Sequence, residues 1–111
     1  MSAGDGRIAV VLGGAAGEGD AVLLEGDGVL PEGAAARFTV EAGGHAIGCA
    51  CCVPRSDAGR ALGRLFLARA RGEVAAFGRV VAVTTSEAGR AAVVAAVAGD
   101  VVAAARFRME G

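Results

Sequence analysis

Two apolar runs, RIAVVL at 7–12 and RVVAVTT at 79–85, constrain the fold most, because neither has a polar face. A strand with one wet face would alternate. A short continuous apolar run, ended in the first case by Gly13-Gly14, fits a strand buried on both faces of a parallel sheet. Between the two, ARFTVEA at 36–42 alternates well enough for another strand, and a short strand is expected at Ala21–Leu24 inside a Gly-rich acidic stretch.

From Ser56 the period becomes helical. Ala58, Ala61, Leu62, Leu65 and Phe66 fall on one face, and Arg60, Arg64 and Arg71 on the other. Ser56 or Asp57 caps this helix, which ends near Gly72. A second helix is expected from about Ser86 to Gly99, and Asp100 can cap a last short helix to Phe107. Strands alternating with helices predict an α/β fold with a mostly parallel sheet and right-handed crossovers. The expectation is a small three-layer, Rossmann-like domain of the P-loop-NTPase type over residues 1–111, with no internal repeat and no linker.

Composition limits how such a sheet can be packed. Hydrophobic residues make up 54% of the chain, but 27 residues are alanine and only four are phenylalanine, so the core is built from small side chains. Burial scales with apolar area, and the 19 glycines raise the entropic cost of folding. Marginal stability, or support from a partner, is expected. All 11 cations are arginine, and Lys, Asn, Gln, Tyr and Trp are absent. A net charge of −1 gives no footprint for nucleic acid or an anionic membrane. The start, MSAGDGR, does not read as a secretory signal, and the most apolar tract is split by Gly99 and Asp100. A soluble, cytoplasmic protein is expected.

All three cysteines lie in GCACC, residues 48–52, close to the only histidine, His45. In a reducing compartment such a cluster reads as metal or thiol chemistry before disulfides. In extended backbone Cys49 and Cys51 point the same way and can chelate one ion, whereas Cys52 needs a turn to join them, with which Pro54 is compatible. Three thiolates leave a fourth tetrahedral position for His45, Glu41, water or a receiving protein. Soft sulfur donors with imidazole suit zinc, with cobalt as a substitute and Cu(I) as a further choice. Two other readings stand beside this one. Small buried cysteines fill space at a strand-to-helix turn, and a thiol near Arg55 and a helix N-terminus is redox-active. Arg55 and Asp57 read as a salt bridge folding the loop onto the helix, or as ordinary capping and solvated charge.

GCACCVPRSDAGRALGRL, followed by FGRVVAVTTSEAGRAAVVAAVAGDVVAAARFRMEG, resembles the CobW-type family of P-loop GTPases associated with metal delivery and cobalamin synthesis. The resemblance covers roughly residues 7–111 and is most specific in the GCxCC motif. It implies a metallochaperone-like domain, but a degenerate one. The first strand and its phosphate loop are expected to be missing, and no lysine exists to meet a β/γ-phosphate. LGGAAGEGDA has glycines, but Glu18 and Asp20 would repel a triphosphate, so the loop resembles the family's first switch region. Val83-Thr84-Thr85-Ser86 stands where the family has Glu-Thr-Thr-Gly.

The expectation is therefore a domain holding zinc or cobalt at Cys49, Cys51, Cys52 and His45, with no catalytic residues, no GTP and no autonomous hydrolysis. The alternatives are an interaction or regulatory subunit of a GTPase or cobalamin-pathway protein with a vestigial metal site, and a GTPase completed by a second chain. Loss of the phosphate-loop strand is expected to bare the edge of the strand at Arg79–Thr85. Such an edge would be covered by the local loop segment, a second copy or a partner.

Overall fold

The computed structural model describes residues 6–31, 33–40 and 56–110. In chain order the elements are β1 (Ile8–Leu12), β2 (Asp20–Glu25), β3 (Ala35–Phe38), α1 (Asp57–Ala70), β4 (Arg79–Val83), α2 (Glu87–Gly99), α3 (Val101–Arg106) and β5 (Phe107–Met109). The five strands form one all-parallel sheet in the order β3-β2-β4-β1-β5. This is the α/β class expected, and both continuous apolar runs lie inside the sheet.

Local chemistry explains where the helices begin. The Ser56 hydroxyl accepts from the Gly59 N–H at 3.0 Å and the Ser86 hydroxyl from the Gly89 N–H at 2.9 Å. The Asp100 carboxylate accepts from Val102 and Ala103, both at 3.0 Å, and so starts α3 directly after α2. Each satisfies donors that the first helical turn leaves open. Gly72, at φ 76°, follows the last turn of α1 in the left-handed conformation that ends a helix.

The three helices pack on one another and on a single sheet face, presented by Ile8, Val10, Ala21, Leu23, Ala36, Phe38, Val80, Ala82 and Phe107. Three of the four phenylalanines, Phe38, Phe77 and Phe107, are fully buried, and Phe66 meets Phe107 edge-on with centroids 6.4 Å apart. Alanines at 58, 61, 96 and 103 fill the helix side of this core. Position 59 in α1 takes a residue smaller still, because a Cβ on Gly59 would strike the Asp100 carboxylate that caps α3.

The direction of the crossovers fixes the third layer. From β1 to β2 and from β2 to β3 the chain steps one way across the sheet; from β3 to β4 and from β4 to β5 it steps the other way. Right-handed connections in opposite directions lie on opposite faces. With the helices on one face, the connections at 13–19 and, among the described residues of the second, at 26–31 and 33–34 belong to the other, with Leu30 reaching the sheet margin, where it lines a groove with Arg64, Leu67 and Ala68 of α1. Two observations agree: Val81 points away from the helix layer and is nevertheless fully buried, and Gly28 lies close against Leu24 on that face. Parallel crossovers ordinarily take about a dozen residues or more and a helix. Seven extended residues reach about 24 Å, enough to run back along a strand of about 17 Å while passing β4. The back layer is therefore made of straps in place of helices.

Of the covers expected for β4, the local segment is the one found: β2 pairs with one side of it and β1 with the other, Val10 and Ala21 both lying opposite Val80, so no edge of β4 is left for a second copy or a partner. The place beside β4 that was assigned to a missing strand is taken by β1. Strand order cannot be read from a run of apolar residues, since β1 and β4 are about 70 residues apart in sequence.

Candidate functional site

In open α/β sheets ligands bind beyond the carboxyl ends of the strands, where neighbouring crossovers leave for opposite faces. Here that position lies around the end of β4, whose connection enters the helix layer while those of β1 and β2 enter the straps. Three segments converge on it: Gly13-Gly14 after β1, Glu25 at the end of β2, and Thr84-Thr85-Ser86 leading into α2. Gly13 and Gly14 turn with φ of 82° and 95°, and the Gly13 N–H donates to the Ala82 carbonyl at 2.8 Å, which holds the turn against β4.

The N-terminus of α2 offers the open N–H groups and positive dipole end that attract anions. The chain meets them with its own carboxylate. Glu25 Oε1 accepts from the Thr85 N–H at 2.6 Å and the Ser86 N–H at 3.1 Å, and Oε2 accepts from the Ser86 hydroxyl at 2.7 Å. The Ser86 hydroxyl, followed by the Thr85 N–H, holds the Glu25 carboxyl below its ordinary value. Gly89 makes the fit possible, since a Cβ there would collide with the Glu25 carboxylate. The arrangement is anion-like recognition turned inward.

Glu25 has no sequence signal beyond its place at the end of a strand, because its partner is 61 residues away. Asp20, expected with Glu18 to repel a phosphate, is at the opposite end of the sheet, and Glu18 is exposed in the connection just before it. Asp20 is the register partner of Arg79 and takes a forked pair of bonds from it, Nε to Oδ1 at 3.2 Å and a terminal nitrogen to Oδ2 at 2.7 Å. It also accepts from the Gly17 N–H at 2.9 Å, which closes the strap at 13–19. Arg79 is the main cause of the lowered Asp20 pKa. The carboxylate placed at the carboxyl ends is therefore Glu25 and not Asp20.

Cys49, Cys51, Cys52 and His45, with Glu41 and Arg55, lie outside the described residues. The ends of their segment are described. The Thr39 N–H donates to Asp57 Oδ2 at 2.9 Å, so the chain leaves after Val40 and returns at Ser56 across a hydrogen-bonded neck. That neck is at the carboxyl end of β3, on the same edge of the sheet as Gly13 and Ser86. Asp57 also accepts from Arg60 at 3.3 Å, so its role is to bind neighbouring backbone and side chain. Among the described residues no three His, Cys, Asp or Glu side chains group as a metal site.

The arginines of α1 have structural partners. Arg64 donates to the Arg37 carbonyl at 3.4 Å, Arg71 approaches Glu73 at 3.8 Å, and Arg69 donates to the Phe77 carbonyl at 2.8 Å while covering its ring.

Comparison with known proteins gives no match to any family model, curated protein or solved structure. Among the described residues no helix is long and apolar enough to cross a membrane.

Proposed function

We propose that this chain is a non-catalytic, CobW-like α/β domain of the cytoplasm that holds a thiophilic metal ion, zinc or cobalt, at Cys49, Cys51, Cys52 and His45, without GTP hydrolysis. The observation that carries the non-catalytic part is the Glu25 carboxylate on Thr85 and Ser86. A nucleotide phosphate would have to displace it, with no lysine in the chain to repay the exchange. A GTPase completed by another chain meets a second obstacle, since β1 and β2 leave no strand position beside β4.

The metal part is supported by the donor set and by the neck. Three thiols and an imidazole within eight residues are the soft ligands that zinc prefers. The Thr39–Asp57 bond brings the two ends of that segment together, which lowers the entropy lost when an ion closes it. Protein purified without chelator is expected to carry about one zinc per chain, and Cys49→Ser with Cys51→Ser to carry none. Equal metal content in both, or none in either, overturns the metal reading. Saturable GTP binding by the chain alone overturns the non-catalytic one.

The alternative, an interaction subunit, is favoured by a separate feature: an apolar groove between α1 and α3 with a basic rim.

A further inference from the structure

β3 is a margin of the sheet, with β2 on one side and no strand on the other among the described residues. The Val22 N–H donates to the Ala34 carbonyl at 3.0 Å and the Gly26 N–H to the Phe38 carbonyl at 2.8 Å. Successive residues of a strand turn their backbone groups to opposite sides, so residues 35, 37 and 39 turn theirs outward. Two of these groups are closed from α1: the Thr39 N–H by Asp57 at 2.9 Å, and the Arg37 carbonyl by Arg64 in a long bond of 3.4 Å. The N–H and carbonyl of Ala35 and the N–H of Arg37 have no partner among the described residues. Part of the edge is thus blunted, and part is left open for pairing.

The open part faces a groove between β3 and α1 with a volume of about 510 Å³. Leu67 and Ala68 of α1 line it, Leu30 lies on its strap side, and Leu67 is 49% exposed. Arg37 and Arg64 line it as well. Each donates to a backbone carbonyl, Arg37 to Gly28 at 2.8 Å and Arg64 to Arg37 at 3.4 Å, and a carbonyl does not neutralise the charge. Arg71 adds nothing to the balance, because Glu73 meets it at 3.8 Å. Open main-chain groups beside an apolar groove select an extended peptide, whose main chain pairs with the strand while alternate side chains enter the groove. The excess positive charge selects acidic side chains. A second copy of β3 is disfavoured, since pairing the two edges would set two cationic margins against each other.

We infer that the β3 edge and the β3–α1 groove form a docking site for an extended acidic segment of a partner protein. The segment pairs with Ala35 and Arg37, packs an apolar side chain on Leu67 and sets carboxylates against Arg37 and Arg64. Its N–H replaces Arg64 at the Arg37 carbonyl and frees that guanidinium for a carboxylate. This inference goes beyond the metal reading and does not depend on it. A few main-chain bonds and one apolar contact, less the cost of ordering the peptide, give a dissociation constant on the order of 0.1 mM.

The test is a titration of the full chain with a fluorescently labelled, end-blocked hexapeptide that alternates glutamate and valine, read by anisotropy. Saturable binding in that range is expected, weaker at high salt. Lysine in place of glutamate in the peptide, or methylation of its backbone nitrogens, should each weaken binding at least about tenfold. Ala35→Pro removes an outward N–H where an edge strand accepts proline, and should weaken binding about tenfold in a protein that keeps the wild-type circular dichroism. Arg37→Glu with Arg64→Glu should exchange the preference, so that the lysine peptide binds better than the glutamate one. A misfolded variant cannot gain a ligand in this way. No saturable binding at millimolar peptide overturns the inference, as does binding indifferent to backbone methylation, to Ala35→Pro or to the charge reversal. Self-association of the wild type that Ala35→Pro abolishes, seen by sedimentation velocity, also overturns it and assigns the edge to a second copy.

Discussion

Ser86 holds Glu25 twice, through its hydroxyl at 2.7 Å and its backbone N–H at 3.1 Å, and thereby joins the end of β2 to the start of α2. The two residues are 61 positions apart, yet the contact satisfies open donors of the helix and fixes the strand beside it. Removing the charge while keeping the shape isolates this contribution. Glu25→Gln is expected to cost about 1 kcal/mol, a figure that allows for the partial exposure of the site. Urea denaturation of the two proteins measures the difference, and an unchanged midpoint would show that the contact adds nothing.

Acid should abolish that difference. The folded Glu25 pKa is below its ordinary value of 4.5. Its stabilisation is therefore fully present above about 4.5 and is lost as pH falls through the lower folded value. Asp20, lowered from 3.8 mainly by Arg79, follows in the same direction at more acidic pH. Denaturation midpoints of wild type and Glu25→Gln should converge below pH 4.5 and separate above it. A gap that widens on acidification would contradict the assignment.

Gly89 gives a prediction in which two changes fail to add. Alanine in a helix interior is better than glycine by about 1 kcal/mol. In the wild type that gain is opposed, because the added Cβ meets the Glu25 carboxylate. Gly89→Ala should thus stabilise a Glu25→Ala background by about 1 kcal/mol and stabilise the wild type less, or destabilise it. A double-mutant cycle from thermal melts reads the coupling directly.

Asp57 links stability to the proposed metal site. Asp57→Ala removes the acceptor of the Thr39 N–H and is expected to cost about 1 kcal/mol. If the neck prepares the cysteine segment, zinc affinity should also fall, while Asp57→Asn, which keeps an acceptor, retains most of it. Competition with a chromophoric chelator measures this. Equal zinc affinity in all three proteins would separate the neck from the metal site.

The thin core sets the scale of damage elsewhere. Leu62 is fully buried in a core that relies heavily on alanine. Leu62→Ala is expected to cost about 2–5 kcal/mol, a large share of the total for a domain of this size. Loss of cooperative thermal unfolding, followed by circular dichroism, is the outcome to look for.

Local patterns announced the elements well, and for a physical reason: caps and periodicity act over a few residues. Ser56, Ser86 and Asp100 each start the helix that their side chains suggested, and RVVAVTT supplies the central strand, now Arg79–Val83. What escaped the sequence acts at long range. β5 is only three residues long and gains its identity from pairing with β1, about 100 residues away. The same distance hid the place of β1 beside β4, and with it the meeting of Glu25 and Ser86. Of ARFTVEA, only Ala36 to Phe38 lies in a strand among the described residues, since the Thr39 N–H turns to Asp57. The cysteines were legible as a motif, and their geometry lies outside the described residues.

The strand order also dictates a timetable. β1 is made before both of its neighbours, β4 and β5, which lie about 70 residues or more further along the chain. β2 and β3 can pair early, whereas Val10 has nothing to pair with until Val80 has emerged. The nascent chain must therefore carry an unpaired RIAVVL segment until those residues have emerged, a stretch with the composition of an aggregation-prone strand. Arg7 immediately before it and the Gly13-Gly14 break immediately after it are the features that keep this waiting segment short.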